Sequence, residues 1–298
     1  MKTVGVVCHD AGGAEVVSSW LLQTKVPFLA CLKGPAVSIF KKKIDIENIM
    51  SITEVINQSD WLLCGTSWQS DIEKKAIELA LKMGKFSVAF LDHWINYEDR
   101  FKCGDHLKLP DEIWVCDEYA KKIASRCFPK TKLKLIPNPY YKDLNSKLFK
   151  IMKKTPTSNI DILYVCEPIR EHCKLKYGDE EFLGYTEEDA LNYFFQNLAV
   201  LPIDPMIIVV RPHPSEPLGK YNWVKKYHSE SLTIRIGRSD PLIDEVARSK
   251  LIVGCESMAM IVGLLAEKIV FSSIPPSGRP CVLPHTSIKS IAQQVAVR

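Results

Sequence analysis

Residues 206–214, M-I-I-V-V-R-P-H-P, constrain the fold most tightly, and residues 251–257, L-I-V-G-C-E-S, repeat their logic. Each is a short apolar run without the alternation of a half-exposed strand. That is the pattern of a strand buried on both faces of a parallel sheet. Each ends in polar residues where the strand must stop. Open α/β sheets bind ligands just beyond the carboxyl ends of their strands. Arg211 and His213 between prolines, and Ser257 opening a helix, are the parts of a phosphate-binding crevice.

Strand-like and helix-like stretches alternate along the chain. Strands are predicted at residues 3–8, 26–31, 61–65, 86–91, 112–116 and 132–136, and helices at 14–23, 53–58, 71–83 and 118–127. Residues 140–159, rich in Lys, Asn, Ser and Thr with Pro156 near the end, read as an interdomain connection. The alternation then resumes, with strands at 161–166, 206–210, 232–236, 251–253 and 268–272. Helices are predicted at 187–200, 223–228, 241–249, 258–267 and 287–295. Repeated βα units mean a parallel sheet with helices on both faces. A chain of 298 residues suits about two domains. The expected class is therefore α/β, with two Rossmann-like domains at residues 1–150 and 151–298 facing an interdomain cleft.

Composition narrows the class of function. The net charge of +4 does not argue for a nucleic-acid partner, though it suits a phosphorylated or acidic substrate. The lysine runs at 41–43 and 153–154 read as solvated faces. None of the ten cysteines forms a C-x-x-C pair. Cys8, Cys64, Cys116, Cys166 and Cys255 lie in or at the ends of apolar runs, as small core residues do. The apolar run at the N-terminus is short for a signal peptide, and no stretch reaches the ~18 apolar residues of a membrane span. A reducing, cytoplasmic setting is expected.

The candidate site residues all follow predicted strands. Pro212 and Pro214 cannot donate to a sheet and stiffen the peptide around His213. Arg211 offers a planar fork to phosphate oxygens, and His213 a proton or hydrogen bond; the plainer alternative is a histidine fixed in a rigid turn. Ser257 would leave helix-start amides facing an anion, or would only cap the helix. Glu256 is a weaker candidate for a ribose hydroxyl. Glu167 opens the polar stretch 167–172, read as a substrate-contacting or solvated loop. In the first half, His9 and Asp10 precede Gly12 and Gly13, which let a ligand approach the backbone closely. Either His9 or Asp10 is a candidate base, unless Asp10 caps the turn and His9 packs. Asp92 and His93, in the aromatic and acidic stretch 91–100, are further candidates. The dinucleotide fingerprint, Walker A loop, G-x-S-x-G elbow and H-E-x-x-H helix are absent, as is any zinc-spaced Cys/His set. Metal-free chemistry is expected.

Two Rossmann-like halves, R-P-H-P at 211–214, and a helix-start Ser followed by A-E-K-I-V-F-S-S-I-P-P at 266–276 resemble glycosyltransferases of the GT-B fold. More narrowly, they resemble the bacterial sialyltransferase, polysialyltransferase and capsule-transferase group and the CDP-glycerol glycerophosphotransferases. The resemblance covers chiefly residues 161–276. It implies that His213 and Ser257 hold the donor phosphate, and that Asp10, His9 or Asp92 is the base. The chain is small for that group, and one Ser, preceded by Glu256, fills its Ser motif. Glu256 and Glu267 do not reproduce the paired glutamates of many retaining enzymes, which favours inversion.

The expected function is an inverting, metal-independent glycosyltransferase of bacterial surface polysaccharide biosynthesis. A nucleotide-sugar, such as a CMP-nonulosonate, would be its co-substrate, with no separate cofactor. A glycan or glycolipid would be the acceptor, and peripheral contact with the inner membrane is left open. The alternatives are a nucleotide-sugar hydrolase, a non-hydrolysing UDP-sugar 2-epimerase, or a non-enzymatic nucleotide-sugar binding protein.

Overall fold

The computed structural model describes residues 2–46, 48–154, 159–237 and 240–297. It divides into two compact units, Met1–Asp143 and Leu144–Arg298. The first runs β1 (Val4–Cys8), α1 (Ala11–Thr24), β2 (Phe28–Leu32), α2 (Pro35–Lys43), α3 (Ile52–Gln58), β3 (Trp61–Cys64), α4 (Ile72–Lys82) and β4 (Ser87–Leu91). A small antiparallel pair, β5 (Lys102–Cys103) and β6 (His106–Leu107), precedes β7 (Glu112–Val115), α5 (Glu118–Cys127) and β8 (Lys132–Leu135). Six strands make one parallel sheet in the order β2-β1-β3-β4-β7-β8. β1 and β4 are buried at every residue, as their unbroken apolar runs require, whereas the edge strand β8, Lys-Leu-Lys-Leu, stays largely exposed. Val4, Val6, Cys8, Val17, Leu63 and Phe90 form the core under α1.

Helix α6 (Pro139–Lys154) carries the chain into the second unit. There follow β9 (Ile160–Val165), α7 (Ile169–Tyr177), α8 (Glu187–Gln196), β10 (Ile207–Arg211), β11 (Thr233–Ile236), α9 (Leu242–Arg248), β12 (Ser249–Gly254) and α10 (Met258–Leu265). The described chain closes with β13 (Ile269–Ser272), β14 (Ile288–Ser290) and α11 (Ile291–Val297), and 3-10 turns occupy Leu198–Val200 and Leu218–Tyr227. The second sheet is also parallel, in the order β11-β10-β9-β12-β13-β14. Ile162, Tyr164, Phe194, Ile208, Tyr221 and Val253 fill its core.

Four local expectations are corrected. The connection expected at residues 140–159 is helical to Lys154, because Leu144 and Leu148 stand four apart and bury together; residues 155–158 lie outside the described residues. The loop expected at 167–172 turns into α7 after Pro168, with Ile169 and Cys173 buried four apart. Residues 288–290 add a sixth strand beside β13, so the last helix starts at Ile291. Helix α2, with Pro35 at its start, fills a stretch whose pattern was mute.

Topology sets where ligands can meet each sheet. From β1 the chain goes to β2 on one side and then to β3 on the other. From β9 it goes to β10 and β11 on one side and then crosses to β12. The carboxyl ends of β1 and β3, and of β9 and β12, are thus the switch points at which crevices open. All ten cysteines are free, and no helix among the described residues is long and apolar enough to cross a membrane.

Candidate functional site

Beyond β1, His9 and Asp10 stand at the first switch point. Asp10 is the N-cap residue of α1, yet its side chain makes no capping bond; Asp10 Oδ1 lies 2.8 Å from His9 Nδ1. The pair is partly open to solvent, with side chains 25% and 22% exposed. If Nδ1 carries the proton toward Asp10, Nε2 is left basic. The His9 ring lies over Gly34, where a Cβ would fall 2.7 Å from Nε2.

Asp92 leaves β4 and reaches the same place. A Cβ on Gly12 would fall 1.9 Å from Asp92 Oδ2, so only glycine lets this carboxylate lie against the start of α1. Asp92 Oδ1 accepts from Arg100 Nη1 at 2.8 Å and from Thr66 Oγ1 at 3.3 Å. Arg100, 6% exposed, also binds the Thr66 carbonyl at 3.1 Å. Gly13 packs on the backbone of Gly65 and Thr66. His93 accepts from the Trp94 amide at Nδ1, and burial pushes its imidazole down to about 4. The structure therefore gathers His9, Asp10, Gly12, Gly13 and Asp92.

Glu73 joins this group and was not singled out from the sequence. Its Oε1 accepts the His9 amide at 2.7 Å, and its Oε2 is buried with no hydrogen-bond partner among the described residues. Burial pushes the carboxyl up to about 7, against the pull of its own and the His9 amide. The signal was present: Glu73, Ala76, Ile77 and Ala80 form one buried helical stripe, and an acid on such a stripe calls for a partner.

In the second unit three loops lie side by side. β10 and β12 flank β9, so the His213 loop and the Ser257 loop border the loop that carries Glu167. Glu167 Oε1 accepts the amides of Cys255 at 3.0 Å and Glu256 at 2.9 Å. Burial pushes Glu167 up to about 8, the backbone amides pull it down, and the nearby Glu256 adds to the rise. Ser257 is the N-cap of α10, its Oγ accepting the Ala259 amide at 3.1 Å. Glu256 accepts from the Val282 amide and faces Arg279 at 3.6 Å; burial raises its pKa.

Arg211 points elsewhere. Its Nη1 donates to Glu245 Oε2 at 2.5 Å and to the Asp240 carbonyl at 2.9 Å, an ion pair largely shut off from solvent. His213 Nδ1 lies 2.8 Å from Ser215 Oγ, and its amide donates to Glu216 Oε2. Glu216 also accepts from Tyr221 and Lys220, both at 2.7 Å. Lys220 pairs in turn with Glu187, and Glu187 holds Arg170 at 3.1 Å. This buried charge network fixes the His213 loop to the start of α7. Among the described residues no group of three or more His, Cys, Asp or Glu is placed to hold a metal ion.

No protein-family model and no curated protein matches the chain significantly. Solved structures do. A glycosyltransferase from Rickettsia africae ESF-5 matches 99% of this chain and 87% of its own, at 14% identity and TM-score 0.55. The UDP-GlcNAc 2-epimerase of Methanocaldococcus jannaschii matches 91% of this chain and 83% of its own, at 9% identity and TM-score 0.56. S. aureus MnaA, in a co-structure with UDP, matches 91% of this chain and 79% of its own, at 10% identity and TM-score 0.58. With two parallel six-stranded sheets in two units, the chain has the α/β fold of the GT-B type, built from two Rossmann-like domains.

Proposed function

We propose that the chain is an inverting glycosyltransferase that uses a nucleotide-activated sugar. The observation that carries this reading is the set of amides at Cys255–Ser257, leading into α10 at the second switch point, with the Glu167 loop between it and the His213 loop. A loop of amides that runs into a helix N-terminus at a switch point suits a phosphate. The fold likeness to a glycosyltransferase and to UDP-linked structures supports the same ligand class.

The first unit supplies the base. His9, oriented by Asp10, takes the proton of an acceptor hydroxyl. The acceptor oxygen then attacks the anomeric carbon as the bond from that carbon to the phosphate oxygen breaks. His213, Ser257 and the amides of the β12–α10 loop take up the charge on the departing phosphate. Asp92, tied to Arg100, shapes the floor beside Gly12. Arg211 fixes the end of β10 through Glu245. The narrower reading, a CMP-linked nonulosonate donor and a surface-glycan acceptor, rests on the R-P-H-P and Ser motifs.

A second reading, epimerase or hydrolase chemistry on a UDP-sugar, is favoured by the likeness to the archaeal 2-epimerase. Thermal-shift titration with CMP, CDP, UDP, GDP and NAD, repeated with His213→Ala, tests both. A shift with one nucleotide that the variant loses supports the site and fixes the donor class. Silence from every nucleotide removes the reading. Free sugar released without acceptor selects the hydrolase, and a changed configuration at sugar C2 selects the epimerase.

A further inference from the structure

The amides proposed to receive the donor phosphate are already occupied by a side chain of the protein. Glu167 Oε1 accepts from both Cys255 and Glu256, in the geometry a phosphate oxygen would need. Its carboxyl group comes from the loop after β9, on the other side of the switch point. A second feature, packed in one cluster with Cys255, stands apart from those bonds. Tyr185 is 2% exposed, and its hydroxyl has no hydrogen-bond partner among the described residues. It packs with Cys255 and with Ile169 and Cys173 of α7, and burial raises the pKa of its phenol. A buried phenol with an unused donor costs stability unless a ligand uses it. Arg279, half exposed, brings a guanidinium to the Glu256 side.

We propose that Glu167 is the residue that sets donor affinity: its carboxyl group is an internal ligand of the Cys255 and Glu256 amides in the β12–α10 loop, and the donor phosphate binds by displacing it. This rests on the phosphate-site reading above. Burial leaves Glu167 largely protonated at neutral pH, so displacement replaces a neutral acceptor of these amides with an anionic, stronger one, and Tyr185 gains an acceptor for its hydroxyl. No covalent bond changes. A donor without a phosphate has nothing to exchange with Glu167 and is rejected.

The test is calorimetric titration of CMP and UDP into the full chain and its Glu167→Ala, Glu167→Gln and Ser257→Ala variants. Glu167→Ala empties the amides and is expected to tighten the better nucleotide about tenfold, equivalent to about 1.4 kcal/mol. Glu167→Gln keeps a neutral acceptor of the same shape, and is expected to give a smaller gain in a chain that melts as a folded protein. Tyr185→Phe is expected to weaken the same nucleotide. If Ser257→Ala weakens binding but both Glu167 variants leave it unchanged or weaker, the internal-ligand inference falls and the phosphate site stands. If neither nucleotide binds the parent chain or the Glu167 variants, the phosphate site falls and this inference with it.

Discussion

A methyl group on Gly12 would collide with Asp92 Oδ2, so Gly12→Ala must drive that carboxylate off the start of α1 or move the helix. We expect Gly12→Ala to destabilise the first unit by about 1–3 kcal/mol, as overpacking does, and a denaturant melt will read it. His9 carries a sharper prediction. Removing a base in reach of its proton costs about 10²-fold or more in rate. His9→Ala should therefore lower kcat by that factor and leave donor affinity near its parent value. Asp10→Asn should give a smaller loss, because the imidazole stays but its orienting carboxylate goes. An unchanged kcat in His9→Ala would remove it from the mechanism. Glu73 belongs to the same residues, since its carboxyl, pushed up to about 7, is the support on which the His9 backbone rests.

Among the elements, the second unit depends on the charges that tie the His213 loop to α7. Glu216 and Glu187 are 2% and 3% exposed, and Lys220 binds both. Lys220→Met takes the ammonium from the buried Glu216 and leaves Glu187 with Arg170 alone, and we expect a loss of about 3 kcal/mol, visible as a lowered urea midpoint. Lys220→Arg should recover part of it. How much of this was legible depended on the kind of element. Central strands such as β1, β4 and β12 were plain, because burial on both faces leaves an unbroken apolar run. Helix α6 was not, since Leu144 and Leu148 are two apolar positions amid lysines and composition outweighed their spacing. Helix α7 hid behind Glu167-Pro168, which reads as a turn until Ile169 and Cys173 are seen to share a face. At the sites, residues just past strand ends were found by topology alone. Glu73 and Glu216 were missed because their partners, the His9 and His213 amides, come from other elements or from the main chain, and side-chain patterns do not display them. Nothing in the sequence turned Arg211 toward Glu245, which depends on how α9 packs.

For the whole molecule, buried acids set the pH dependence of stability. Glu73 and Glu167 are raised from the ordinary 4.5 to about 7 and about 8, so the folded state keeps protons that the unfolded chain releases. Their contribution is complete below about pH 4.5 and is lost as pH rises through those values. Glu187 behaves oppositely: burial works against it, but Lys220 and Arg170 hold it below the usual range, so its contribution fades as acid titrates it. His93, pushed down to about 4, opposes them up to about pH 6.5, so calorimetry from about pH 6.5 to pH 9 should show Tm falling with pH, and Glu73→Gln with Glu167→Gln should flatten that slope. The cysteines add a practical consequence. Cys8, Cys31, Cys64, Cys166, Cys173 and Cys255 are buried, Cys116, Cys127 and Cys281 are half-buried, and Cys103 on β5 is exposed. Burial also raises nine of the ten thiols, which slows alkylation because the thiolate is the reactive form. A maleimide should then mark the native chain at Cys103 first, at Cys116, Cys127 and Cys281 more slowly, and at the six buried thiols only as the molecule opens. One natural residue thereby serves as an attachment point for a fluorophore, and the six buried ones as a built-in clock for unfolding.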